Sequence, residues 1–357
     1  MAYATINDPS AHFQNVAYTG DGNSPKAITN TGNSNLQPDW LWIKNRSNTY
    51  DHAVFDSSRG VDKVLKTNQT NAESSSAGYQ NSFNTDGFTV TANGNVNNNG
   101  ENYVAFQWKA NGGTTSTDTN GASSAAGYNT TVQANQTAGF SIVQWDAAFD
   151  QGNGRYNLGH GLGKIPDFII IKNREATGDW YVHHKNIDDN DYLRLNLNNA
   201  TSNTGSRYTF YRPDFTTTLF NVDYNNIVTQ NEAYVAYVFA PIQGYSKFGK
   251  YTGNSNADGT FVYLGFKPAW LIVKRVSNTG NWLVFNNASD TYNMTSQALK
   301  ADTNAAQTSG YWNIDFLSNG FKLRATDGEL NGGATFVYAA FAAEPMVGTN
   351  NVFSLAR

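Results

Sequence analysis

Short apolar runs punctuated by Gly, Asn, Asp, Ser and Pro recur along this 357-residue chain, and three of them are near-copies. PDWLWIKNR (38–46), PDFIIIKNR (166–174) and PAWLIVKRV (268–276) each open on a proline: Pro38, Pro166 and Pro268. Each continues with four or five large apolar residues and carries a lysine six places after its proline: Lys44, Lys172 and Lys274. Proline is tolerated where a strand begins, because its missing N–H is not yet needed by the ladder. An Ile-, Val- and Trp-rich run between turn signals predicts a strand buried on both faces.

Counting from the three prolines predicts more strands at matching distances. DHAVF (51–55), DWYVH (179–183) and NWLVF (281–285) give a second strand, with His52, Trp180 and Trp282 in one position. DGF (86–88), PDF (213–215) and NGF (319–321) predict the start of a third. YVAFQW (103–108), YVAYVF (234–239) and FVYAAF (336–341) predict a fourth. A weaker echo precedes them in AYTGDG (17–22) and KYTGNS (250–255), with QWDAAF (144–149) in the corresponding place of the second copy. Regular spacing over about a hundred residues fits repeated β-sandwiches; solenoid repeats and propeller blades are shorter. The expectation is an all-β protein of three tandem β-sandwich units, jelly-roll or lectin-like in character, over 1–110, 139–247 and 248–357. A Gly/Ser/Thr/Asn-rich flexible linker is expected over 111–138, with the first unit on that tether. Helical periodicity is nearly absent, and a short helix over 296–306 is the one segment compatible with it.

Composition changes the picture in two ways. Charged residues are only 15%, so the polar surface must come from Asn, Thr, Ser and Gly, which suit turns. Cysteine is absent, which excludes disulfides, thiolate metal sites and a Cys nucleophile. Net charge is −4 with no basic run, which argues against a nucleic-acid partner. No apolar run reaches membrane-spanning length, and the opening MAYATINDPS lacks the basic-then-apolar pattern of a secretory signal; no membrane insertion is expected.

Candidate chemistry is sparse. His183 and His184 beside Asp188, Asp189 and Asp191 offer metal-ligand types. However, neighbouring residues on a strand point to opposite faces, and the acidic run lacks calcium-loop spacing. His160 in GHGLGKIP lacks the GK[ST] of a phosphate loop and reads as a tight turn. The carboxylates Asp39, Asp167 and Asp179 read as turn or strand-edge groups. No catalytic residue, metal or cofactor is expected. Trp40, Trp42, Trp180, Trp270 and Trp282 occupy repeat-equivalent strand positions and read as core. Tyr208, Tyr211, Tyr311 and Trp312 fall in variable insertions. There they either stack on sugars or anchor an interface as loop aromatics, or else cover a sandwich edge.

The runs WKANGGTTSTDTNG, TAGFSIVQWD, GHGLGKIPDFIIIKNR, GYSKFGKYTGNSNADGTFVYLGFKPAWLIVKR, DFLSNGFKLR and AAFAAEPMVG together resemble repeat domains of virion proteins from marine tailed bacteriophages, of the kind labelled tail-fibre or tail structural proteins. The resemblance covers nearly the whole chain. Two features depart from it: QWDAAFDQGNGRYN stands where a shorter YTG-like stretch is usual, and His52 stands where a Trp is expected. The resemblance implies a non-enzymatic virion protein made in the host cytoplasm, in the tail rather than the capsid. It also implies homo-oligomers, with a trimer favoured, and contacts with other virion proteins and a host cell-surface glycan. The alternatives are a capsid decoration or particle-connecting protein and, from another class, a glycan-degrading enzyme, which would need two carboxylates about 5–10 Å apart across a pocket.

Overall fold

The computed structural model describes residues 4–75, 78–121, 127–147, 154–203, 209–223 and 227–347. The chain is all-β. Its first repeat contains β1 (Phe13–Thr19), β2 (Lys26–Ile28), β3 (Trp40–Asn45), β4 (Ala53–Asp56), β5 (Lys63–Val64), β6 (Ser74–Ser75), β7 (Gln80–Asn84), β8 (Gly87–Val90) and β9 (Asn102–Trp108). Next come β10 (Ser116–Asp118), β11 (Gly127–Tyr128) and β12 (Thr130–Asn135). The second repeat holds β13 (Phe140–Asp146), β14 (Arg155–Gly159), β15 (Phe168–Asn173), β16 (Tyr181–His184), β17 (Asp191–Arg194), β18 (Ser202–Asn203), β19 (Leu219–Asp223) and β20 (Ala233–Phe239). The third holds β21 (Ser246–Thr252), β22 (Phe261–Tyr263), β23 (Phe266–Arg275), β24 (Leu283–Asn286), β25 (Thr295–Lys300), β26 (Thr308–Leu317), β27 (Gly320–Leu323) and β28 (Thr335–Pro345).

One strand order recurs three times. It runs β1-β9-β3-β4 in the first repeat, β13-β20-β15-β16 in the second and β21-β28-β23-β24 in the third. The proline-led strands β3 and β15 are buried at every residue, as expected for an interior strand paired on both sides. The third predicted strand is β8 and β27 in the outer repeats. In the second repeat PDF (213–215) instead overlaps a single 3-10 turn, and the equivalent strand is β19, around Phe220. The proline of PDF suits the start of that turn. Residues 296–300 of the possible helical segment belong to strand β25, because their partners lie across the sheet on β26.

The last large residue of each fourth strand is Trp108, Phe239 or Phe341. These three rings meet one another, with centroids 6.4, 5.6 and 5.5 Å apart. Around them, Trp40 stacks on Tyr237 at 4.4 Å and Trp270 stands edge-on to Trp108 at 5.4 Å. One continuous core thus draws side chains from all three repeats. A second cluster lies within the middle repeat and its lead-in strand, and a third within the first.

The repeats are joined in a ring by equivalent hydrogen bonds. Trp180 donates its indole N–H to the Lys66 carbonyl (2.9 Å), and Trp282 donates to that of Arg194 (2.8 Å). His52, standing where the other repeats have Trp, closes the third joint through Nε2 and the Lys300 carbonyl (2.9 Å). Its Nδ1 accepts from the Trp42 indole (2.8 Å), so Nε2 carries the hydrogen and donates. Backbone bonds follow the same cycle: Glu73 N to Arg174 O (2.8 Å), Thr201 N to Val276 O (3.1 Å) and Gln307 N to Arg46 O (2.9 Å).

The described part of the stretch 111–138 (residues 111–121 and 127–138) is no flexible tether. It carries β10, β11 and β12, with β12 paired along β13 and Val132 buried. Polar groups rather than apolar burial hold its start. The Asp39 carboxylate accepts from the backbone N–H groups of Ala110, Gly112 and Gly113, and the Gln133 side chain accepts from Asn111 and Gly113. Composition therefore understates its order.

The three matched lysines are buried. Lys172 donates to the carbonyls of Asn173 (2.8 Å) and, across the joint, Thr70 (3.2 Å). Lys274 donates to those of Gly280 (2.8 Å) and, across the next joint, Asn198 (3.2 Å). Burial pushes Lys44, Lys172 and Lys274 down to about 8 from an ordinary 10.5, against partial compensation by nearby carboxylates. Between those values the unfolded chain binds more protons than the folded one. Stability therefore rises with pH from about 8 to 10.5, and the contribution is lost as pH falls back through that window. Urea unfolding at pH 8 and pH 10 should show this rise, and Lys172→Met should reduce it by about a third, the share of one lysine in three. Phe239→Ala, which empties one corner of the aromatic triangle, should cost about 3–5 kcal/mol. Because the core is shared, it should lower a single transition seen alike by tryptophan fluorescence and circular dichroism; separate melting of residues 1–110 would contradict the shared core.

Candidate binding face

The histidines and carboxylates singled out in the sequence take structural places. His183 and His184 are both buried and point to opposite sides of β16. The His183 ring lies against Phe210 and Phe215, whereas His184 Nε2 reaches the Tyr338 carbonyl of the third repeat at 3.1 Å. Burial pushes His184 down to about 4 and His183 well below its ordinary value. His160 sits in the expected tight turn, its Nδ1 accepting from Leu162 N between two glycines at positive φ, Gly161 and Gly163. Asp167 pairs with Lys185 and Arg212, and Asp179 with Arg194 and Asn196. Across the joint between the first two repeats, Glu73 bridges Arg59 and Arg174. Arg59 also binds Asp56, whose carboxylate accepts from the Tyr237 hydroxyl at 2.7 Å. Burial alone would lower the Arg59 guanidinium, but Asp56, Tyr237 and Glu73 hold it above its ordinary value. Among the described residues no group of three or more metal-ligating side chains converges.

The four loop aromatics part company. Tyr208 lies outside the described residues. Tyr211 is half-buried under the Arg155 guanidinium, 4.5 Å from its ring. Tyr311 and Trp312 are not in a loop but consecutive on strand β26, so they face opposite ways. Trp312 is 6% exposed, donates its indole N–H to Asp327 (2.8 Å) and lies under Lys300. It belongs to the core and is not a surface contact. Tyr311 is 68% exposed.

Tyr311 has company that the sequence reading did not find. The large apolar side chains exposed among the described residues are Ile165, Phe261, Tyr263, Tyr292, Met294 and Tyr311, and all but Ile165 belong to the third repeat. Phe261, Tyr263 and Tyr311 lie on one half-sheet, ordered β25-β26-β27-β22, and Tyr292 and Met294 lie in the bend that leads into it. On β26, Trp312, Ile314 and Phe316 point into the core; on β27, Phe321 and Leu323 do; on β22, Val262 does. The alternate positions therefore face out: Tyr311, Asn313 and Asp315 on β26, Lys322 on β27, Phe261 and Tyr263 on β22. Register aligns Phe261, Lys322 and Asp315 in one row across three strands. The period-2 pattern of FVY (261–263) was the signal that could have revealed this face.

Two ion pairs lie on this face. Lys322 lies 2.7 Å from Asp258, and Arg324 Nε donates to Asp315 at 2.6 Å. Lys247 donates to the Tyr263 carbonyl (2.7 Å) and lies against its ring at 5.4 Å. The result is a flat surface on rigid strands, with rings and ion pairs side by side. Truncating the two neighbours should separate their roles: Tyr311→Ala should leave the melting free energy within about 0.5 kcal/mol, whereas Trp312→Ala should lose about 3–5 kcal/mol. Denaturant titration of the two variants checks both.

A family model described as Domain of unknown function (DUF7483) matches residues 8–345. No curated protein matches the chain, and no solved structure does. With the match spanning the complete ring of repeats, the chain belongs to the DUF7483 family.

Proposed function

We propose that this chain is a non-enzymatic structural protein of a bacteriophage virion, placed at the tail, where it contacts the host surface. The observation that carries this reading is the exposed aromatic face on the outer half-sheet of the third repeat. Solvent-exposed rings clustered on rigid strands mark an interaction surface. The interior carboxylates described above each hold a structural partner, which supports binding over catalysis. A cysteine-free chain needs no oxidising compartment to fold, which suits synthesis in a host cytoplasm. Several copies around a tail, a trimer among them, would raise weak single-face affinity through effective concentration.

One observation favours a second reading, a capsid decoration or particle-connecting protein. The three repeats close on themselves, and no coiled-coil or β-helical shaft occurs among the described residues. Cryo-electron microscopy of intact particles separates the two. The expected result is density at the distal tail with Phe261 and Tyr311 turned outward. Density on the capsid lattice, with that face against coat protein, would overturn the tail reading.

A further inference from the structure

We propose that the outward half-sheet of the third repeat binds a neutral oligosaccharide of about two or three sugar rings, with Phe261 and Tyr311 as its stacking surfaces. This names a ligand class for the host-contact reading and rests on it. Size supports this occupant. Three neighbouring strands about 4.8 Å apart, carrying the six outward positions named above at a spacing of about 7 Å along each strand, make a platform on the order of 200 Å². A standard protein interface takes about 800 Å² from each partner, so the platform is too small for a protein and suits a short glycan.

Charge narrows the ligand further. Lys322 and Arg324, on β27 between the strands of Phe261 and Tyr311, are both committed: Lys322 to Asp258 at 2.7 Å and Arg324 to Asp315 at 2.6 Å. Between Phe261 and Tyr311 these two cations and two anions cancel, and Lys247, at the Tyr263 edge, is engaged by that residue's carbonyl, so the strip between the two rings offers no net charge to draw a phosphate, sulfate or carboxylate group. The ion pairs still present N–H donors and carboxylate acceptors beside the rings, the groups that vicinal hydroxyls use in pairs. The rings supply flat apolar faces for the C–H side of a sugar. Their strands are fixed by Phe316, Phe321 and Val262 in the core below, so little ordering is left to occur on binding.

The test uses the full chain on an array of neutral gluco-, manno-, galacto- and chito-trisaccharides, with 3′-sialyllactose and a heparin trisaccharide as anionic probes. Calorimetry then follows on the best neutral ligand. Binding is expected to a neutral member only and to be unchanged when salt is raised to about 0.5 M. Tyr311→Ala and Phe261→Ala should each weaken it about tenfold, equivalent to about 1.4 kcal/mol. Ile165→Ser, at the exposed apolar position outside this repeat, should leave it unchanged. Both aromatics are exposed, so unchanged melting shows that the variants fold. Four outcomes would overturn the proposal: no neutral glycan bound, preference for the anionic probes, binding that survives both variants, or self-association of the chain through this face. Absence of glycan binding together with density at the distal tail would reject the ligand class and leave the tail reading standing; density on the capsid would reject that reading by itself.

Discussion

Everything in this molecule depends on the meeting of Trp108, Phe239 and Phe341. Each ring is the last large side chain on the fourth strand of its own repeat, and none of the three sheets can keep its ring from water alone. The neighbouring layer repeats the logic, with Trp40 against Tyr237 and Trp270 against Trp108. Aromatic pairs in offset or edge-on geometry add about 0.5–1.5 kcal/mol each beyond area burial. The triangle thus sets the positions of the repeats, and the peripheral bonds at Lys66, Arg194 and Lys300 fix their rotation.

His52 shows how the ring tolerates unlike residues in like positions. Two repeats close their joint with an indole N–H and the third with an imidazole N–H, and all three aim at the carbonyl of an equivalent segment. The geometry asks for an aromatic side chain with one well-placed N–H donor. Imidazole supplies it as long as its other nitrogen accepts, which Trp42 arranges. The same freedom lets the outer surfaces differ: one chain can place Phe261 and Tyr311 on a single repeat and leave the others polar.

Much of the fold was legible in the sequence, because buried strands advertise themselves. The proline-led runs, the paired second strands and the YVAF-type fourth strands all lie where their spacing put them. Two features were not legible, for separate physical reasons. Residues 110–113, at the start of the stretch 111–138, are held by hydrogen bonds to Asp39 and Gln133, and a composition rich in Gly, Ser and Thr does not distinguish a pinned segment from a free one. The closure of the repeats into a ring depends on which apolar faces meet, and periodicity gives the faces without their partners. The binding face was partly visible. Tyr311 was singled out, but pairing it with Trp312 ignored the alternation that sends adjacent strand residues to opposite sides. Phe261 and Tyr263 went unnoticed because single exposed apolar residues are common on surfaces; only strand order brings them onto one half-sheet with Tyr311.

The bond between Gln307 and Arg46 links positions far apart in the chain. On a ribosome, the first repeat leaves the exit tunnel long before its last partner is made. Until β28 arrives, Trp40, Trp42 and Trp108 face solvent or an incomplete neighbour. Nascent chains of this protein therefore spend most of their synthesis with an aromatic wall uncovered, at about 5–20 residues per second. The shared core that makes the finished ring cohesive also makes the unfinished one adhesive, so its yield in a cell should depend on chaperone capacity more than on the stability of the final state.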